Sequence, residues 1–208
     1  IIHDVALQKL PVVFCVDRAG VVGHDGPTHH GVFDIAYLRC IPNLIIAAPR
    51  NAQMLQNLLY SAQFELDRPL AIRYPRGYSQ IMKPKTDFEK INWGKGCILK
   101  EGNRFAILSV GTMAKTISEA FLGLERADVF AHFDMGFIKP LDEKLLHEIF
   151  KSHEKIIQGL EKICNSLGFR TSVAVKKTSW TNKCDKKRGE ALVLTVSGKL
   201  SRIPTLLP

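Results

Sequence analysis

The chain predicts an α/β fold built from two consecutive parallel-sheet units. Three observations carry that reading. Short β-branched apolar runs alternate with amphipathic stripes; the alternation breaks once and resumes; and a glycine-rich polar loop follows the first run directly. Residues 11–17 (PVVFCVD) read as a buried parallel strand, apolar until its polar end, with Cys15 as a buried reduced thiol. The loop follows, then a short helix over 33–39. Residues 44–48 (LIIAA) form the next buried strand, stopped by Pro49. Asn51 caps a helix carrying Met54, Leu55, Leu58, Leu59, Ala62 and Leu66 on one stripe. Residues 70–74 (LAIRY) give a third strand, closed by Pro75 and Gly77.

Residues 77–102 keep no steady period and read as a linker that packs in part on its neighbours. The alternation then returns. A strand covers 105–110, Gly111-Thr112 opens a helix to about 124, and a strand covers 129–133. After a loop ending in Lys139-Pro140, a helix over 141–152 carries Leu145, Leu146, Ile149 and Phe150, and a strand begins at 155. The domain boundaries expected from this pass are 1–80, a linker at 81–103, 104–158, and a tail at 159–208.

Composition narrows the function classes. The 208 residues carry a formal charge of +9, which alone would suggest nucleic acid. Seven Lys and three Arg against three acidic residues lie from Gly159 onward, so the first 158 residues hold only +2. A nucleic-acid partner is therefore not expected, and no apolar run is long enough to predict a membrane span. Five cysteines at irregular spacing argue against a disulfide framework or structural zinc, and for a reducing compartment. The start, Ile1-Ile2-His3-Asp4, reads as the interior of a longer protein rather than a signal peptide.

Chemistry concentrates in the loop DRAGVVGHDGPTHHG, residues 17–31, at the carboxyl end of the first strand, where open α/β sheets place ligands. Arg18 offers a permanent cation with fork geometry suited to phosphate. Asp25 and His29, four apart, allow a carboxylate and an imidazole to meet one substrate, and an imidazole is a side chain suited to moving a proton. A plain turn at residues 23–26 is the competing reading. Zinc held by His24, His29 and His30 is disfavoured, because two are adjacent and no sulfur is spaced to help. At the end of the third strand, Arg73 and Arg76 should point to opposite faces. Arg18 and Arg76 together would make a phosphate clamp; two ordinary surface arginines are the alternative.

The combination DRAG-x-VG-x-DG-x-TH-x-G-x-FD, then LR-x-IPN and RYPRG, resembles the 1-deoxy-D-xylulose-5-phosphate synthases, a family within the transketolase superfamily of thiamine-diphosphate enzymes. GKG at 94–96, AILSVGT at 106–112 and FIKPLDE at 137–143 continue the resemblance, which fades near residue 157. It implies parallel-sheet units of transketolase type: part of a pyrimidine-binding domain, then part of a C-terminal domain. It implies a transferase that condenses pyruvate with glyceraldehyde 3-phosphate and releases carbon dioxide, serving isoprenoid and thiamine precursor synthesis. Arg18 and Arg76 match the residues that hold the aldehyde's phosphate; Asp25 and His29 match the polar pair beside the reacting centre. The complete enzyme would use thiamine diphosphate and Mg2+ as a homodimer, in bacterial cytoplasm or a plastid. The family's metal and diphosphate ligands lie upstream of Ile1, so this piece is expected to be inactive and to bind no cofactor tightly.

The tail departs from that family. SLGFRTSV at 166–173 and VSGKLSRIP at 196–204 resemble, briefly, the β-rich second half of intein splicing domains; a diverged or frameshifted terminus reads equally well. A divergent β-rich tail that packs poorly on both units is therefore expected. The rival readings are another transketolase-type enzyme, against which DRAG and RYPRG together argue, and a non-catalytic chimera whose tail is the active element.

Overall fold

The computed structural model describes residues 1–78, 87–153, 155–158, 170–176 and 191–197. After a turn of π-helix at Ile2–Ala6, the elements run β1 (Val13–Val16), α1 (Asp34–Arg39), β2 (Ile45–Ala47), α2 (Ala52–Glu65) and β3 (Leu70–Arg73). Then come β4 (Cys97–Lys100), β5 (Phe105–Ser109), α3 (Met113–Phe121), β6 (Phe130–Asp134), β7 (Phe137–Lys139), α4 (Glu143–Ser152), β8 (Lys155–Gln158), β9 (Arg170–Lys176) and β10 (Ala191–Ser197). Two compact units emerge, each assembled from non-contiguous stretches. The first holds residues 1–97, 110–116 and 135–142; the second holds the remainder.

The first unit is a four-stranded sheet in the order β1-β3-β2-β7. β1 and β2 flank β3 in parallel, with Val13 and Ile45 both opposite Leu70. Successive strand residues face opposite sides. One face gathers Ile45, Ala47, Leu70, Ile72 and Phe137 against Met54 and Leu58 of α2. The other gathers Ile46 and Ala71 against Ala6, Leu38, Ile41 and Leu44. Both faces are covered, which is why these strands read as unbroken apolar runs. Asn51 caps α2 as expected, its Oδ1 accepting from the Met54 N–H at 2.9 Å. Leu59, expected on the buried stripe, is instead exposed.

Three expectations need correction. Cys15 is exposed, not buried, because β1 is an edge strand whose one neighbour among the described residues is β3. Residues 137–139, expected as loop, form β7, which joins β2 antiparallel and places a fully buried Phe137 in the core. Cys97–Lys100, expected as linker, is a strand. The preceding stretch is anchored on α2: the Ile91 N–H donates to buried Ser61 Oγ at 2.8 Å, and the Glu89 N–H to Asn57 Oδ1 at 3.3 Å. Ile91 and Trp93 thereby reach the first core.

The second unit is a six-stranded sheet in the order β4-β6-β5-β8-β10-β9. β5 lies parallel between β6 and β8. Ala106, Ala131, Phe133 and Ile149 of α4 form its core, with Leu145 packed alongside; Phe150, at the next position, is exposed. Buried within this unit, Ser109 Oγ meets His132 Nε2 at 2.8 Å and also donates to the Phe133 carbonyl at 3.2 Å. The described parts of the tail are strands, as a β-rich tail requires. They do not pack apart from the sheet, however: β10 pairs parallel with β8 and antiparallel with β9. The remaining tail residues, including the basic stretch at 183–188, lie outside the described residues.

Candidate anion-binding site

The parallel register of β1 and β3 sets Val16 opposite Arg73, so both strands end together. Two backbone bonds extend the pairing past those ends: Tyr74 N–H to Val16 O and Ala19 N–H to Tyr74 O, each 3.0 Å. Arg18 and Arg76 therefore leave adjacent strand ends on one sheet edge. The loop between Arg18 and Gly31 closes on itself, with Gly31 N–H donating to Arg18 O at 3.1 Å and Gly20 N–H to Gly31 O at 2.9 Å. Arg18 holds φ +58, a left-handed conformation unusual for a side-chain-bearing residue. The closure needs glycine at position 31, since a Cβ there would stand 2.3 Å from the Arg18 carbonyl oxygen.

A buried ion pair braces this base. Arg73 Nε donates to Asp34 Oδ2 at 2.6 Å and its Nη2 to Asp34 Oδ1 at 3.3 Å, with a further contact to the Gly31 carbonyl at 3.4 Å. The Asp34 side chain is 4% exposed and Arg73 16%. The pair ties the end of β3 to the start of α1 and to the loop's return. Arg73 and Arg76 thus have different partners, as their spacing requires.

Asp25 receives both site arginines. Arg18 Nε donates to Asp25 Oδ2 at 2.9 Å, and Arg76 Nη1 makes a short contact with Asp25 Oδ1. Arg18 Nη1 also contacts Asp17 Oδ2 closely. The hydrogen bond from Arg76, then that from Arg18, holds the Asp25 carboxyl down to about 2, well below the usual carboxylate range. The two guanidinium groups thus converge on one carboxylate, each taking a different oxygen of it.

Of the four sequence-predicted site residues, the structure brings Arg18, Asp25 and Arg76 together. His29 lies on the exposed 3-10 turn Pro27–His29, its Nδ1 paired with Thr28 Oγ1 at 3.0 Å. His24 is exposed as well, whereas His30 turns inward and accepts the Val22 N–H on Nδ1 at 3.0 Å. That bond places a neutral imidazole's proton on Nε2 and makes His30 a brace of the loop. Sequence reasoning gave no structural role to His30, weighed only as a zinc ligand, or to Asp34, the last residue of the loop motif: the partner of each, Val22 for His30 and Arg73 for Asp34, is set by the fold. Among the described residues, no cluster of three or more His, Cys, Asp or Glu could hold a metal ion, and no helix is long and apolar enough to cross a membrane.

This architecture, with polar residues gathered at the ends of two parallel strands, is that of a transketolase-type α/β unit. Residues 1–80 match the family model of the transketolase pyrimidine binding domain, and residues 94–183 match that of the transketolase C-terminal domain. The second match runs on beyond residue 157, where the motif resemblance fades. The chain belongs to the transketolase superfamily, a family of transferases.

Within that class the chain is similar to curated 1-deoxy-D-xylulose-5-phosphate synthases. It is 49% identical over 175 residues to the one from Cytophaga hutchinsonii, covering 83% of this chain and 27% of the relative. It is 51% identical over 162 residues to the one from Bacteroides fragilis, covering 76% and 24%. The chain therefore spans about a quarter of the length of these relatives. Among solved structures it resembles a split-gene transketolase described as an inactive β4 tetramer. The TM-score is 0.64 with 27% identity, over 76% of this chain and 50% of that one.

Proposed function

We propose that this chain is the later pyrimidine-domain portion and the C-terminal-domain portion of a 1-deoxy-D-xylulose-5-phosphate synthase. The complete enzyme condenses pyruvate with glyceraldehyde 3-phosphate, with loss of carbon dioxide, as a homodimer. Residues 1–80 belong to the pyrimidine-binding domain and 104–158 to the C-terminal domain, joined through 81–103. Arg18 and Arg76 grip the aldehyde's phosphate, and Asp25 and His29 contact the substrates and hold or move a proton beside the reacting carbon. The observation that carries this reading is the convergence of Arg18 and Arg76, 58 positions apart, on a single carboxylate. A bidentate guanidinium pair suits a phosphate and fixes the aldehyde for attack.

Thiamine diphosphate supplies the electron sink for decarboxylation when bound. The described residues fit the substrate phosphate rather than the cofactor's metal–diphosphate end, so in this reading other segments of the complete enzyme hold the Mg2+ and diphosphate. The chain alone is then inactive, in keeping with the inactive β4 tetramer of the split-gene transketolase it resembles. Calorimetric titration of the chain with thiamine diphosphate and Mg2+ tests this: no low-micromolar binding is expected, and finding it contradicts the assignment.

The clamp is tested in a complete enzyme carrying this segment. Arg76→Ala should raise the KM for glyceraldehyde 3-phosphate about 10- to 100-fold, the worth of a charge-assisted contact of ~1.5–3 kcal/mol, and leave pyruvate's far less changed. The Arg76 side chain is 55% exposed, so screening favours the lower end. Equal effects on both substrates rule Arg76 out as a phosphate ligand.

A further inference from the structure

We infer that Asp25 is the internal counter-ion of this anion site: its carboxylate occupies both arginines when no anion is bound and withdraws when one binds. The inference rests on the phosphate-clamp reading above and adds a gate to it. Each oxygen of Asp25 serves a different arginine, Oδ2 for Arg18 and Oδ1 for Arg76. Asp17 engages Arg18 as well, so two guanidinium charges face two carboxylates. The cluster is formally neutral and has no net attraction for a dianion. For an anion to take Arg18 Nε and Arg76 Nη1 together, the Asp25 carboxylate that bridges those two donors must give way.

The loop has the means to release it. Asp25 ends the 3-10 turn Gly23–Asp25, and Gly26 follows at φ +81. A Cβ built at Gly20, Gly23 or Gly26 would meet nothing within 4 Å, so at these three positions the loop faces open space. The Arg18 and Arg76 side chains keep 35% and 55% exposure, against 17% for Asp25. An incoming anion therefore meets the arginines' free N–H groups first and can displace the carboxylate stepwise.

Sulfate tests this on the 208-residue chain, because its charge is constant across the working range. Asp25→Asn should bind sulfate about tenfold or more tighter than the unaltered chain by calorimetry, the worth of one charge-assisted contact no longer competed for. Arg76→Ala should lose sulfate binding. Equal affinity with and without the Asp25 carboxylate, with Arg76→Ala still weaker, leaves the clamp standing and overturns the counter-ion role. Weaker binding by Asp25→Asn overturns it too, since Asp25 would then be holding the arginines in place for the anion. No sulfate binding by either form overturns the clamp and the gate together.

A second measurement needs no variant and so does not depend on Asp25→Asn folding. Carboxyl-carbon NMR of the unaltered chain, titrated downward from neutral pH, should show Asp25 still ionised near the bottom of the range without sulfate. Saturating sulfate should move its midpoint up toward the ordinary aspartate value of about 4. A midpoint unmoved by saturating sulfate overturns the proposal.

Discussion

Replacing Asp34 by Ala removes the carboxylate that receives Arg73 and leaves a guanidinium stranded in the first unit. With 16% of the Arg73 side chain exposed and 4% of Asp34, the pair is largely desolvated, and the Gly31 carbonyl at 3.4 Å is a weak substitute. Breaking a buried pair by deleting one partner costs roughly 3–5 kcal/mol, and the residual exposure of Arg73 places this case near 3. That is a large fraction of the ~5–15 kcal/mol that stabilises an ordinary domain. Asp34→Asn keeps an acceptor and should cost less, about 1–2 kcal/mol. The assay is urea unfolding followed by Trp93 fluorescence in a Trp180→Phe background, so that the tryptophan packed at 6.2 Å from Phe137 reports on the first unit. The double variant Asp34→Ala with Arg73→Ala closes a thermodynamic cycle and should be less destabilised than the two single losses summed. A loss below about 1 kcal/mol for Asp34→Ala, with no coupling in the cycle, would refute the desolvated-pair reasoning.

Two further predictions follow from the loop and the second core. Gly31→Ala should displace the loop's return and weaken sulfate binding at least as much as it lowers stability, read by calorimetry beside a thermal melt; unchanged binding and melting would mean that the close approach to Arg18 is relieved at little cost. Burial pushes the His132 imidazole below its usual value, so the folded state favours the neutral ring. Its contribution is fully present above the unfolded value of about 6.5 and is lost as pH falls from there toward the folded one. Unfolding of the second unit should therefore become easier below about pH 6.5, and His132→Gln should flatten that dependence; an identical pH profile for the two proteins would assign it to other groups.

The parallel core of the first unit was readable because its strands are covered on both faces and so appear as unbroken apolar runs. Residues 44–48 and 70–74 needed no partner to declare themselves. The arginines and Asp25 were readable because strand ends and glycine-rich loops leave a local mark. What stayed hidden depends on pairing across the fold. Cys15 lies in a run like the others, yet its strand is an edge, and edge position is a property of neighbours. Residues 137–139 are too short to show a period and become a strand through β2. Leu59 and Phe150 share apolar character with their buried neighbours, but the cores end before reaching them. The inward turn of His30 follows from a bond to Val22 that residue type alone does not announce.

The late arrival of β7 affects how this polypeptide can be made and divided. The first three strands of its sheet are complete by residue 73, but the fourth, with its fully buried Phe137, is synthesised only after β4, β5 and β6 of the second unit. A nascent chain leaving the ribosome must hold β2 with an open side until residues 137–139 emerge, which makes the first unit a slow, long-range closure rather than an early local one. Any expression fragment cut between residues 80 and 130 would leave that flank unprotected and prone to self-association through the exposed strand. A fragment that keeps the first sheet whole therefore begins before β1 and runs at least to Asp142.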